Sequence, residues 1–228
     1  MKQNGKKLVL FDIDGTLISA GGAGTRSMNL AFNALFGIKD AFRDISMAGK
    51  TDPQIMREGL KLHGFDSMAG SLEKMKEMYL QFIRNEINNP HRQLKPGIKE
   101  ALGFFSQAGM TLGLLTGNLE KGAKIKLSPF GIYDYFLDGA FGSDDEDRDK
   151  LLPIAIDKFR KKGFEFLPAD CIVIGDTPRD VKCAKIHGAY SIAVATGPYP
   201  KEDLLNTEAD IILDSLAETG EYMNFIML

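Results

Sequence analysis

Asp12 and Asp14 stand two residues apart in the segment Phe11-Asp12-Ile13-Asp14-Gly15-Thr16-Leu17. An extended chain turns residues i and i+2 to one side, so both carboxyl groups would face the same space. Two unpaired carboxylates held together repel each other, and a shared proton or a cation is needed to keep both. Mg²⁺ suits that need, because it takes one or two carboxylates, keeps several waters and favours phosphate oxygens. An Asx turn closing a strand end is the plain structural alternative for Asp-x-Asp taken alone. Two further segments favour the chemical reading. Gly175-Asp176-Thr177-Pro178-Arg179-Asp180 brings a second acidic group directly behind the apolar run Cys171 to Ile174. Thr116-Gly117-Asn118 follows the run Thr111 to Leu115 and offers a hydroxyl and turn amides. Two acidic clusters and a neutral anion cradle are the parts that phosphoryl transfer requires.

Those groups need a scaffold that brings distant segments together. Leu8 to Phe11, Thr111 to Leu115, Cys171 to Ile174, Ser191 to Ala195 and Ile211 to Leu213 are short, continuous apolar runs. Such runs read as strands buried on both faces of a parallel sheet. Helical patterns lie between them at Ile98 to Gln107, Leu151 to Lys162 and Val181 to His187, the last two closed by Gly163 and Gly188. The alternation predicts an α/β fold with a doubly wound parallel (Rossmann-like) sheet, in which ligands gather at the C-terminal ends of the strands. Residues 17–91 break the alternation with helical periodicity at Thr25 to Phe36, Pro53 to His63 and Ser71 to Asn88. The last carries the stripe Leu72, Met75, Met78, Tyr79, Phe82 and Ile83, which reads as the inside of a small bundle. Glycine, asparagine and proline cluster at both joints, so residues 1–16 and 92–228 are expected to form the core domain and 17–91 an inserted helical domain.

Taken together, Asp12-Ile13-Asp14-Gly15-Thr16, Thr116 and Gly175-Asp176 with Asp180 resemble the first, second and fourth motifs of the haloacid dehalogenase superfamily of aspartate-dependent phosphatases. The insertion is similar to that superfamily's helical cap of the first type, seen in phosphoglycolate-phosphatase-like members. The resemblance implies that Asp12 is the nucleophile and Asp14 the general acid and base. It implies Mg²⁺ held by Asp12, the backbone carbonyl of Asp14 and Asp176, ordered by Asp180. Gly15, Thr16, Gly117 and Asn118 would line the phosphate site beside Thr116. Family members place a lysine or arginine ahead of the fourth-motif strand, often as Lys-Pro. Here Gly142 to Leu152 contains no Lys-Pro, and Arg148 and Lys150 are the two cations in that place, with Arg148 preferred as a bidentate phosphate clamp.

Within the insertion, Lys50 sits in the glycine turn Met47-Ala48-Gly49-Lys50-Thr51-Asp52 and is the candidate for an anionic substrate tail, while Thr51 or Asp52 reads as a helix N-cap before Pro53. The expected substrate is a small phosphorylated metabolite, hydrolysed through an aspartyl-phosphate. A β-phosphoglucomutase-like transferase and a non-catalytic phosphate-binding module on the same fold stay open as alternatives. Asp14 argues against a dehalogenase or a phosphonate hydrolase, which usually lack a second aspartate.

Other classes fall away. Gly117 to Lys124 has P-loop glycine spacing, but Ala123 stands where the lysine must be. His63, His91 and His187 form no ligand pair. With 28 Lys and Arg against 31 Asp and Glu, the net charge of -3 gives no basic field for nucleic acid. No run approaches the roughly 18 apolar residues of a membrane span. Cys171 and Cys183 suit a reducing compartment, and a cytoplasmic location is expected.

Overall fold

A computed structural model describes residues 7–226. Its first strand, β1 (Leu8–Phe11), is wholly buried. Val9 and Phe11 pack on one side of the sheet, against Ile98, Ala101, Leu102 and Phe105; Leu8 and Leu10 pack on the other, against Leu151, Leu152, Ala155 and Phe159. Burial on both faces is why the run is continuously apolar rather than alternating.

The chain then passes through β2 (Ile18–Ser19) into three helices, α1 (Ala23–Phe36), α2 (Asp52–Leu62) and α3 (Ser71–Glu86), and returns through β3 (Gln93–Leu94). β2 and β3 pair antiparallel, Ile18 with Leu94 and Ser19 with Gln93, and staple the two ends of the insertion together. Sequence periodicity gave no strand here, because two residues carry no period. Thr51 starts α2, its hydroxyl accepting from Gln54 N at 3.3 Å with Pro53 in the first turn. Of the α3 stripe, Met75, Tyr79 and Ile83 are buried, while Leu72, Met78 and Phe82 pack at its edge. Four-residue steps align those three on one face, toward Phe32, Ile55 and Met56.

From there the order is α4 (Ile98–Gln107), β4 (Thr111–Thr116), α5 (Glu120–Leu127), β5 (Asp138–Phe141), α6 (Leu151–Lys161), β6 (Cys171–Gly175), α7 (Pro178–Lys185), β7 (Tyr190–Val194), α8 (Lys201–Leu204), β8 (Ile211–Leu213) and α9 (Thr219–Ile226). Six strands form one sheet in the order β5-β4-β1-β6-β7-β8, every pair parallel. Strand order reverses around β1, which creates the crevice where open α/β sheets hold ligands. Phe11 pairs with Leu114 on one side and Ile174 on the other, so the three C-terminal ends stay level. β5 and α5 also had no sequence signal. Asp138-Gly139-Ala140-Phe141 carries no branched residue and is a strand through its pairing with β4. Gly122 and three lysines masked α5.

Among the described residues no helix is long and apolar enough to cross a membrane. Cys171 and Cys183 are buried and unpaired, and burial pushes both thiols up to about 12, which keeps them protonated and inert.

Candidate active site

The level strand ends deliver Asp12, Thr116 and Asp176 into one space. Oxygens of Asp12, Asp176 and Asp180 lie within 4.8 Å of one another, and all three side chains are buried. Asp180 is held from the α7 N-terminus, where its Oδ2 accepts from Thr177 N at 3.0 Å and Thr177 Oγ1 at 2.7 Å. Its Oδ1 accepts from Arg148 Nη2, which also donates to Asp12 Oδ1 at 3.1 Å. Asp176 Oδ1 accepts from Thr16 Oγ1 at 2.7 Å, but its buried Oδ2 has no partner among the described residues. A side chain at Gly15 (φ 95°) or Gly197 would overlap that carboxylate, so the backbone closes around it on two sides.

A buried carboxylate oxygen without a donor, beside two more carboxylates, is a costly arrangement without a cation. Burial raises the pKa of Asp12 to about 6; Asp180 and Asp14 push the same way, while Arg148 and a Thr116 hydrogen bond oppose. Asp176 is pushed well above the usual carboxylate range by burial and then by Asp12 and Asp180. Hard oxygen donors with their charge unbalanced fit a divalent cation such as Mg²⁺.

Asp14 stands beside this cluster with its side chain 41% exposed. Lys126 Nζ donates to its Oδ2 at 2.6 Å, and Asn118 Nδ2 donates to the same oxygen at 2.9 Å. Asn118 also joins Thr116 Oγ1 at 2.9 Å and accepts from Lys126 Nζ at 2.6 Å. Lys126 is absent from the sequence analysis because Gly122 and the lysines around it gave no helical pattern there. Its place was legible in one respect: Gly122, Ala123, Lys126 and Leu127 form the buried stripe of α5, and a lysine on a buried stripe calls for a partner.

The insertion closes over these groups, leaving a cavity of about 550 Å³. Asp12, Asp14, Gly15, Thr116, Gly117, Asn118, Lys126, Arg148 and Asp176 line it from the sheet side, and Met28, Met47, Lys50, Ile55 and Tyr79 from the insertion. Lys50 therefore reaches the cavity wall, with Nζ 2.5 Å from Glu58 Oε2. Lys150 does not: it is largely exposed and pairs with Asp145 at 3.2 Å, outside the cavity. Its neighbour Arg148 turns inward while Lys150 turns to solvent, which separates the two cations that spacing alone left together. A second cavity, of about 460 Å³, lies across the outer seam between α2 and α7 and shares only Arg148 with the first.

Most seam hydrogen bonds have a backbone atom on at least one side. Asp52 N donates to Gly117 O at 2.7 Å, and Asp52 Oδ2 accepts from Leu119 N at 2.9 Å. Thr51 Oγ1 donates to Glu146 O at 2.8 Å. A Cβ at Gly117 would overlap the carbonyl oxygen of Lys50, so only glycine allows this approach. Sequence reading gave Asp52 no more than a capping role; its carboxylate in fact crosses the seam.

Asp52 carries a stability prediction. Burial raises it to about 6, against the pull of Lys126 and the Leu119 N–H. A folded carboxyl raised above its usual value binds more protons than the unfolded chain, so its contribution falls as pH rises from about 4 to 6. Asp52→Asn removes that loss. Chemical denaturation should find the variant's stability relative to wild type rising from pH 4 to pH 8, by at most about 3 kcal/mol. A constant difference across that range would refute the assignment.

Comparison with known proteins gives a family and a set of relatives. A family model described as haloacid dehalogenase-like hydrolase matches residues 6–188. The phosphoglycolate phosphatase of Vibrio vulnificus (strain YJ016) is 28% identical over 228 residues, covering 96% of each chain. Among solved structures, a predicted phosphoglycolate phosphatase from Haemophilus somnus 129PT superposes with a TM-score of 0.71 at 19% identity, covering 97% of this chain and 99% of its own. CbbY from Rhodobacter sphaeroides, in complex with phosphate, gives 0.76 at 19% identity, covering 94% and 96%. At such identities the two structures speak for the fold alone.

Proposed function

The chain belongs to the haloacid dehalogenase-like hydrolases, and from that premise we propose that it is a Mg²⁺-dependent phosphatase of small phosphomonoesters, working through an aspartyl-phosphate on Asp12. The observation that carries this reading is the meeting of Asp12, Asp176 and Arg148 at the level ends of β1 and β6, with one oxygen of Asp176 left without a donor. Full-length relatives called phosphoglycolate phosphatases support the same substrate class.

In this mechanism Asp12 attacks phosphorus and the P–O bond to the leaving alcohol breaks. Asp14 protonates the departing oxygen, then accepts a proton from the water that cleaves the aspartyl-phosphate. Asp14 Oδ2 is occupied by Lys126 and Asn118, so the proton travels on Oδ1. Arg148 holds Asp12 in place and, with Thr116, takes phosphoryl oxygens as their charge develops. Asp12, the carbonyl of Asp14 and Asp176 would hold Mg²⁺, with Asp180 fixing Arg148 at the cluster's edge. When bound, the ion supplies positive charge that lets an anionic nucleophile approach an anionic phosphate.

Residues 17–91 act as a cap over a core of 1–16 and 92–228. Lys50 takes the far end of the substrate when it is anionic, exchanging Glu58 for it. The apolar wall of Met28, Met47 and Ile55 keeps water from the reacting groups. A cavity bounded by both the sheet domain and the cap favours a small metabolite over a polymer.

Phosphate release from p-nitrophenyl phosphate by chelator-treated protein tests the reading. Activity should fall at least about 10³-fold without metal and return on adding MgCl₂. Undiminished turnover in chelator would reject it. Phosphate release to water, rather than isomerisation of a sugar phosphate, distinguishes the hydrolase from a mutase.

A further inference from the structure

Lys126 is given no substrate contact in the proposed mechanism, yet its side chain is the least exposed of the paired cations among the described residues, at 4%. Its Nζ donates to Asp14 Oδ2 and to Asn118 Oδ1, each at 2.6 Å. Asn118 returns a bond to the same Asp14 oxygen and another to Thr116 Oγ1, each at 2.9 Å. Two donors therefore converge on Oδ2, while Oδ1 receives no hydrogen bond from the described residues and the side chain borders the cavity. Burial works against an ammonium here, but Asp14, Tyr79 and Asp52 outweigh it and keep Lys126 charged. Two of those three come from the insertion, so the cluster is complete only with the insertion seated. Lys126 borders the cavity, but its Nζ is already committed to Asp14 Oδ2 and Asn118 Oδ1, so its part in the reaction runs through the groups it holds.

We propose that Lys126 is a positioning residue that, with Asn118, clamps Oδ2 of Asp14 and reserves Oδ1 for proton transfer. This rests on the phosphatase reading and adds a residue to it. In the first half-reaction the Asp12 O–P bond forms, the bond from phosphorus to the alcohol oxygen breaks, and the proton on Asp14 Oδ1 passes to that oxygen. In the second, water oxygen bonds phosphorus, the Asp12 O–P bond breaks, and a water proton returns to Oδ1. A carboxyl group free to rotate would lose both transfers without losing the nucleophile.

Lys126→Met keeps the length and removes the clamp. With an alkyl ester such as glycerol phosphate, departure needs the proton, and kcat/KM should fall about 10²-fold. With p-nitrophenyl phosphate, whose leaving group departs without one, kcat/KM should fall less than about tenfold. Hydrolysis of the aspartyl-phosphate still needs the base, so kcat on the aryl ester should drop about 10²-fold behind a stoichiometric burst of p-nitrophenol. Equal losses on both esters without a burst would overturn the proposal, as would wild-type kinetics. If the single variant melts early, the double variant Lys126→Met with Asp52→Asn removes both buried charges together and is read the same way. Wild-type protein releasing phosphate from neither ester would overturn the phosphatase reading itself, a failure visible before any variant is made.

Discussion

Asp12→Asn is expected to abolish phosphate release, with kcat lowered by at least about 10⁴-fold, while the protein folds normally and becomes more resistant to heat. The kinetic half follows from replacing the proposed nucleophilic carboxylate by an amide of the same shape just past the C-terminal end of β1. The stability half follows from its surroundings. Asp12 is buried beside Asp176 and Asp180, and its pKa is raised to about 6, chiefly by burial. In metal-free protein above pH 7 the carboxylate is held charged against that cost, and the neutral amide relieves it. A raised folded-state value means the relief is present above about pH 6 and disappears toward pH 4, where wild type is itself protonated. Melting curves should therefore show the variant higher by a few degrees at pH 8 and level with wild type at pH 4. Wild-type turnover in Asp12→Asn would end the mechanism. A melting point lowered at pH 8 would end the electrostatic account.

Arg148→Ala should be the most destabilising single change in the site. One guanidinium nitrogen serves both Asp12 and Asp180, and the side chain is only 6% exposed. Truncation leaves two carboxylates buried without their counter-charge, a loss of about 3–5 kcal/mol. Turnover should fall about 10²–10³-fold through the lost stabilisation of phosphoryl oxygens. Arg148→Lys restores charge but not the fork, and a single ammonium cannot reproduce the shared geometry; it should recover most of the stability and little of the rate. Denaturant titration alongside phosphate release separates the two effects. Lys150→Ala serves as the control, since its ammonium pairs with Asp145 outside the cavity.

Much of the fold was legible because burial writes itself into composition. β1, β4, β6, β7 and β8 each fall on a continuous apolar run, and the three insertion helices fall on their stripes to within a few residues. The acidic strand ends were legible for the same reason, since Asp12 and Asp176 interrupt those runs where a strand must stop. What escaped depends on partners rather than on local pattern. β5 is a strand because β4 lies beside it, and β2 and β3 exist only as a pair. Lys126 and Asp52 act across gaps of 112 and 67 residues, to Asp14 and Leu119, and no spacing rule spans such a distance. Arg148 and Lys150 are two residues apart and read alike until the turn before α6 sends one inward and the other out.

The seam between the insertion and the sheet domain has an evolutionary corollary. Several of its bonds join a peptide group to a side chain or to another peptide group: Asp52 N to Gly117 O, Thr51 Oγ1 to the carbonyl of Glu146, and Leu119 N to the Asp52 carboxylate, with the carbonyl of Lys50 against a bare Gly117. The docking rim therefore depends on Thr51, Asp52 and a bare position 117, and tolerates drift in the side chains that make none of these contacts. The inward faces of α1 and α2, with Met28 and Ile55, and the turn bearing Met47 can then be rewritten one residue at a time without unseating the insertion. Under the proposed function, such an architecture would let descendants of one ancestor trade one metabolite for another while inheriting the same machinery beneath.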